Sequence, residues 1–335
     1  MVKKISIICV LFLIVASSSA AAWFFYDINR PFGKEGETVI VDIPKGYSFV
    51  KIAKLLHTQG VVRDEIFFYL LSTSKGAARL IKAGEYEFVL PISARDVLDK
   101  LVKGENRYYR VVIQEDLNVR EIAERLEQLG LVNKEKFMDL SRDKDFLTSL
   151  GITGNSAEGY LFPNTYFFDR SMGDRQIMAR MVSEFWKHAT PDLIKRADEM
   201  GMTVNQWVTM ASLIGKETGY SQEKSMISRV FHNRLRIGMR LQSDPTAVYH
   251  LKDFTGPIFR SHLAADSPYN TYRITGLPPG PIANPGIDSL TAALYPSTGN
   301  YLYFVSQNDG SHFFSSHYST HLEAVKRYQT SRKKE

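Results

Sequence analysis

IPKGYSFVKIAKLLHTQGVVRDEIFFYL, residues 43–70, aligns without a gap on IQEDLNVREIAERLEQLGLVNKEKFMDL, residues 113–140. Ile52 and Ile122, Ala53 and Ala123, Leu56 and Leu126, Gly60 and Gly130, Val62 and Val132, and Phe67 and Phe137 coincide. In each copy an extended stretch leads into apolar residues recurring at three and four, the spacing of one helix face. A glycine then marks a helix stop, and a second helix begins. A duplicated strand–helix–helix unit predicts an α+β fold, the alternative being two unrelated helical hairpins that share core periodicity.

The first copy continues through KAGEYEFVLP (residues 82–91) as a closing strand, and ISARDVLDKLVKG then reads as a helix ended by Gly104. With Gly46 ahead of the IAKLL helix, residues 38–105 resemble a LysM module, a fold whose members bind N-acetylglucosamine-containing glycans; that likeness fits a purely structural role equally well.

Ahead of the first copy, Ile5 to Tyr26 is a run of 22 residues without a charge. At about 1.5 Å per residue it spans the roughly 30 Å of bilayer hydrocarbon. Lys3 and Lys4 precede it, so residues 1–4 are expected in the cytoplasm and residues beyond the run outside it. Trp23, Phe24, Phe25 and Tyr26 suit the outer headgroup boundary and favour a retained anchor over a signal peptide cleaved near the SSSAAA stretch. Either way the bulk of the chain is exported.

Composition narrows the classes. The 335 residues are 44% apolar and 23% charged, with only 22 Gly and 13 Pro, which excludes a disordered or collagen-like chain and predicts two or three folded domains. The net charge is +6, and beyond residue 30 the balance is 39 basic against 35 acidic residues, too weak and scattered for nucleic acid. Cys9 is the only cysteine and lies in the apolar run, so neither a disulfide nor a cysteine zinc site is expected. His312, His317 and His321 have no metal-ligand spacing and no acidic neighbour, and nucleotide-binding glycine patterns are missing; no metal and no cofactor are expected. Hydrogen bonding within the fold is the preferred reading for His312 and His321.

Past Glu158 the chain reads as helices near residues 175–188, 191–200 and 204–218, with another from Ser221; beyond Gln242 come proline-fixed loops, the strand YLYFV and a final helix ending in basic residues. In VNQWVTMASLIGKETGYS, Met210, Leu213, Ile214 and Glu217 share helix spacing, which puts a carboxylate beside apolar residues in a last turn. Burial and the negative end of the helix dipole both favour the protonated acid. A glutamic acid protonated near neutral pH is what glycosidic cleavage requires; the alternative is a Glu that snorkels to solvent.

ASLIGKET (211–218), VFHNRLRIGMRLQSDPT (230–246), YNTYRITGLPPGPIANPG (269–286), YLYFV (301–305) and EGYLFPNTY (158–166), taken together with the single apolar run and the LysM-like segment, resemble the endolytic murein transglycosylases, the YceG-like family. The resemblance runs from about Val41 to the C-terminus. It implies internal cleavage of peptidoglycan glycan strands after N-acetylmuramic acid, leaving 1,6-anhydro ends and terminating nascent strands. It maps the catalytic acid onto Glu217. Many members carry a second Glu where this chain has Gly215, and an acidic residue where it has Asn164.

The expected substrate-binding residues are Gln242, Ser243, Asp244, Tyr269, Asn270, Thr271, Tyr272, Glu158 and Tyr166. Asp244 is also read as the N-cap of a helix begun by Pro245, or as a base activating water for hydrolysis. Tyr269 to Tyr272 could equally be loop packing. The expected layout is α+β: a tail (residues 1–4), a transmembrane helix (5–26), a LysM-like α+β module (38–105) and a mixed α+β catalytic domain with a loop-lined groove (106–330). The expected partners are peptidoglycan strands, the bacterial inner membrane and, by family likeness, peptidoglycan synthases. A catalytically inactive glycan-binding envelope protein and a hydrolytic muramidase are the rival functions.

Overall fold

The computed structural model describes the backbone of residues 2–251 and 254–330 and the side chains of 7–251 and 254–329. The flanking Lys3 and Lys4 and the basic residues after Thr330 lie outside the described side chains. The chain is mixed α+β. In order it runs α1 (Val2–Asn29), β1 (Thr38–Ile43), α2 (Phe49–Thr58), α3 (Glu65–Ser74), β2 (Gly84–Val89), α4 (Ala94–Lys103), β3 (Tyr109–Val112), α5 (Val119–Gln128), α6 (Lys134–Leu140) and α7 (Lys144–Ser149). It continues with β4 (Thr165–Phe168), α8 (Gly173–His188), α9 (Pro191–Glu199), α10 (Val204–Glu217), α11 (Ser221–Arg236), α12 (Asp244–Val248), α13 (Arg260–Leu263), α14 (Ile287–Leu294), β5 (Tyr303–Ser306), β6 (His312–Ser315) and α15 (Tyr318–Val325). Two compact units result: residues 1–109 with 167–171, and residues 110–166 with 172–335.

In the first unit β1 and β2 are antiparallel, Thr38 opposite Val89 through Ile43 opposite Gly84. Alternation points Val41, Ile43, Tyr86 and Phe88 inward, where they meet Ile52 and Leu56 of α2, Phe68 and Leu71 of α3, and Val97, Leu98 and Leu101 of α4. Gly104 ends α4 in the left-handed conformation (φ 74°). Among the described residues one helix, residues 7–29 of α1, is long and apolar enough to cross a membrane. Trp23, Phe25 and Tyr26 at the end of the apolar run are exposed, whereas the Phe24 ring meets Phe67 edge-on at 5.7 Å and Ile28, beyond the run, is buried in the core of this unit.

The two repeat copies share their first helix in register: Ser48 and Asn118 are N-caps, and Ile52/Ile122 and Leu56/Leu126 are buried alike. Their second helices do not. Asp64 caps α3 and Asn133 caps α6, one residue short of the gapless offset, so the buried equivalent of Phe137 is Phe68 and Phe67 turns partly outward. The loop after the glycine stop is one residue shorter in the second copy, a difference that helix periodicity alone does not register. β3 is paired with β4.

The second unit is organised around α10, buried on every side from Trp207 to Gly215. Thr203 and Gln206 form a capping box at its start, and the Trp207 indole donates to the Leu290 carbonyl of α14 at 2.8 Å. Gly159 (φ 89°) lies so close to Pro281 and Val208 that a Cβ there would stand 2.6 Å from each. β5 and β6 form an antiparallel pair, Tyr303 opposite Ser315.

Candidate active site

Glu217 is the last residue of α10, where helix spacing puts it, although that helix has no polar face for the spacing to distinguish. Its neighbour Thr218 is extended (φ −149°), and the Thr218 hydroxyl accepts from the Tyr220 N–H at 3.0 Å, turning the chain into α11. The partly exposed Glu217 carboxylate accepts a hydrogen bond of 2.5 Å from the buried hydroxyl of Ser243. Burial pushes the Glu217 carboxyl up to about 7; the Ser243 hydroxyl and the Arg234 guanidinium favour the ionised form, and the Asp244 carboxylate disfavours it.

Ser243 is held by a lattice of hydroxyls. Its N–H donates to Thr271 Oγ1 at 2.9 Å, its carbonyl accepts from Thr246 Oγ1 at 2.5 Å, and the Thr246 and Thr271 hydroxyls are 2.8 Å apart. Gln242 enters this strap with φ +48° and is exposed; its N–H donates to the Thr271 carbonyl. Asp244 is not the N-cap expected of it. It is the first residue of α12, Ser243 holds the cap position with its hydroxyl turned to Glu217, and Asp244 instead accepts from the Tyr272 hydroxyl at 2.5 Å. Glu217, Ser243, Asp244 and Tyr272 are therefore linked.

Asn270 and Thr271 are fully buried, so they brace the loop: Asn270 donates to the Leu263 and Ala265 carbonyls and accepts from the Tyr272 N–H. Tyr269 is half-buried against the Tyr249 ring, centroids 4.7 Å apart.

Glu158 and Tyr166, expected beside the substrate, are interior. The Tyr166 hydroxyl donates to the Phe162 carbonyl at 2.6 Å. The buried Glu158 carboxylate accepts from the Val119 N–H at the start of α5, from the Asn284 amide at 2.9 Å and from the Tyr249 hydroxyl at 2.9 Å. Burial pushes Glu158 up to about 7 against the pull of these donors, while the Glu121 charge adds to the rise. Asn284 accepts in turn from the Gly159 and Leu161 N–H groups and donates to the Leu117 carbonyl. Four chain segments meet at this carboxylate, and its motif signal is one of architecture. Asn164, standing where an acidic residue is usual, donates to Glu184 at 3.3 Å and accepts from the Thr165 N–H.

Arg234 of α11 was not singled out by its sequence context. Its buried guanidinium donates to the Leu241 carbonyl at 2.6 Å and to the Leu302 carbonyl at 2.7 Å, tying the Ser243 strap to β5. Both partners are backbone atoms, and no residue type announces them; only the position of Arg234 inside the VFHNRLRIGMRLQSDPT stretch pointed towards the site.

His312 is hydrogen-bonded as expected, its Nδ1 lying 2.7 Å from Glu223 Oε2 while its N–H donates to Glu223 Oε1. The His321 N–H donates to the His317 carbonyl at 3.1 Å, whereas its buried Nδ1 has no hydrogen-bond partner among the described residues. Among the described residues no group of three or more His, Cys, Asp or Glu is arranged to hold a metal ion.

Residues 41–327 match the family described as YceG-like. A Bacillus subtilis protein named endolytic murein transglycosylase is 31% identical over 323 residues, which cover 90% of this chain and 88% of the relative. A Streptococcus pneumoniae protein of the same name is 28% identical over 326 residues, 88% of this chain but 59% of its own. The crystal structure of a yceG-like protein from Listeria monocytogenes is similar with a TM-score of 0.60 at 31% identity, covering 87% of this chain and 100% of that one.

Proposed function

The chain belongs to the YceG-like family, and from that membership we propose that it is an endolytic lytic transglycosylase of peptidoglycan, with Glu217 as its catalytic acid and base. The observation that carries the assignment is the Ser243–Glu217 contact: one carboxyl, poised near 7 at a helix end, with a fixed hydroxyl on one oxygen. The protonated carboxyl gives its proton to the oxygen bridging N-acetylmuramic acid and N-acetylglucosamine as that bond breaks. The resulting carboxylate takes the proton of the muramic acid 6-hydroxyl, whose oxygen closes on the anomeric carbon and leaves a 1,6-anhydro end. One residue serves both steps, so no paired carboxylate is needed. Asp244, the residue a hydrolytic reading would use to activate water, accepts from the Tyr272 hydroxyl through one carboxylate oxygen.

Gln242, Asp244, Tyr269 and Tyr272 are the candidates for sugar contact, with Ser243 acting through Glu217. Helix α1 is the single-pass anchor in the bacterial inner membrane, with the N-terminus inside and the catalytic unit outside. There the enzyme meets strands as synthases release them and terminates them. The test is fragment mass. Wild-type enzyme on purified strands should yield muropeptides about one water lighter than hydrolysis products, and Glu217→Gln should yield none. Full activity in that variant overturns the assignment.

A further inference from the structure

Helix α1 enters the first unit without a linker, so its contacts fix which side of that unit meets the membrane. The Phe24 ring meets Phe67 of α3, and Asp27 lies 3.8 Å from Arg63, just ahead of α3. Later residues of α1 thus meet earlier residues of the other segment, and the two helices run antiparallel. Going back along α1 into its apolar span therefore means going forward along α3. Leu70 stands nearly one turn, about 4.5 Å, further in that direction than Phe67. Ile66, Tyr69 and Leu70 share one side of α3 and are all exposed, Ile66 at 62% and Leu70 at 47%. Across a cleft lined by Val50, Ala53, Glu65, Ile66 and Tyr69, the exposed Val50 of α2 continues the same surface. Single apolar side chains scattered over a surface are ordinary; a contiguous run of them on the helix packed against a membrane span is not.

We propose that Leu70, Tyr69, Ile66 and Val50 form a membrane-contact face, resting in the outer leaflet of the bilayer that α1 crosses. The inference rests on the anchor reading given above. Three observations make lipid the occupant. α1 is one continuous helix from the span into the unit, so the face is held at the bilayer and need not find it by diffusion. Of the cleft residues only Glu65 and Tyr69 carry a polar side-chain group, which suits acyl chains and leaves the hydroxyls of a sugar largely unmatched. The rim is basic: α2 carries exposed Lys51 and Lys54 and no acidic residue, while Lys75 and Arg79 are exposed past the end of α3, with Asp99 3.2 Å from Lys75. Apolar side chains at the acyl boundary with lysines at anionic headgroups are the arrangement of a helix that lies in a membrane surface. Tyr69, with an apolar ring and a polar end, suits the level between the two. A single span leaves the unit above it free to tilt, and this second contact fixes its height and inclination.

The test uses the full-length chain in lipid nanodiscs containing phosphatidylglycerol, with a nitroxide on one cysteine at a time. Native Cys9 reports on the span. Leu70→Cys and Ile66→Cys, each made together with Cys9→Ser, report on the face, and Ile40→Cys, exposed on the outer side of the β1–β2 pair, is the control. All three new positions are exposed, so the changes leave the fold intact. Collision of each label with oxygen, which concentrates in lipid, is compared with collision with a water-soluble nickel chelate. Cys9, Leu70 and Ile66 should be open to oxygen and shielded from nickel, Leu70 deeper than Ile66, and Ile40 should show the reverse. A shielded Cys9 with Leu70 and Ile66 as open to nickel as Ile40 overturns the membrane-contact face and keeps the anchor. Nickel access at Cys9 overturns both. Equal shielding at Ile40 also overturns the face, because any apolar residue of the unit would then serve.

Discussion

Glu217 has to give a proton and later take one, which requires a pKa near the working pH, and burial brings it to about 7. The free enzyme needs the protonated form, so kcat/KM should fall as pH rises through about 7. Two neighbours shift that limb in opposite directions. Ser243→Ala removes a donor that favours the carboxylate and should move the limb to higher pH; Asp244→Asn removes a negative charge and should move it lower. pH profiles of both variants check the signs. The same group is linked to stability. Its folded pKa of about 7 exceeds the ordinary 4.5, so between these values the native state holds the extra proton and stability is lost as pH rises. Glu217→Gln carries no such loss and keeps a carbonyl for the Ser243 hydroxyl. Its advantage over wild type in thermal unfolding should be absent near pH 4 and reach about 1–3 kcal/mol at pH 8.

At the scale of the element, α10 was legible in outline, as a helix near residues 204–218 whose spacing of Met210, Leu213 and Ile214 announces burial; the capping box of Thr203 and Gln206 at its start came with the structure. What packs against it was not legible. Gly215 reads as a weak point, since Gly costs about 1 kcal/mol against Ala inside a helix. In the fold it admits Asp116, a residue in the left-handed conformation (φ 63°), whose Oδ1 would lie 1.9 Å from a Cβ at position 215. Gly215→Ala should therefore destabilise by about 1–3 kcal/mol, despite its better propensity, by displacing Asp116. Combined with Asp116→Gly, the same change should cost nothing or stabilise, and a double-mutant cycle by urea unfolding measures the coupling. Arg234 illustrates the same limit. Its carbonyl partners at Leu241 and Leu302 carry no sequence signal, and Glu158, which a motif suggests for substrate, is instead held by Val119, Tyr249 and Asn284.

At the scale of the whole molecule, the repeat was legible because its first helices keep a shared face, and its end was misaligned because a loop can lose a residue without disturbing either helix. The apolar N-terminal run is one helix long enough to cross a membrane, and what it does not announce is the contact its last turns make with protein, since periodicity and charge cannot tell lipid from protein as the medium that buries a side chain. In the last turns of α1, Phe24 and Ile28 pack on the core of the first unit, Ile28 at 1% exposure, and Asp27 lies 3.8 Å from Arg63, while Phe25 and Tyr26 stay exposed. Residues 5–23 remain for the proposed span, roughly 28 Å at the helical rise, so the anchor enters its folded unit without a linker. A chain shortened to begin at residue 24 should then keep the stability of this unit, because Trp23 is exposed and contributes little. One beginning at residue 31 loses the Ile28 and Phe24 contacts and should unfold this unit about 2–4 kcal/mol more easily, several degrees lower in Tm. Calorimetry on the two shortened chains checks this: equal melting of the first unit in both would mean that α1 is a membrane helix alone, with no part in the core beneath it.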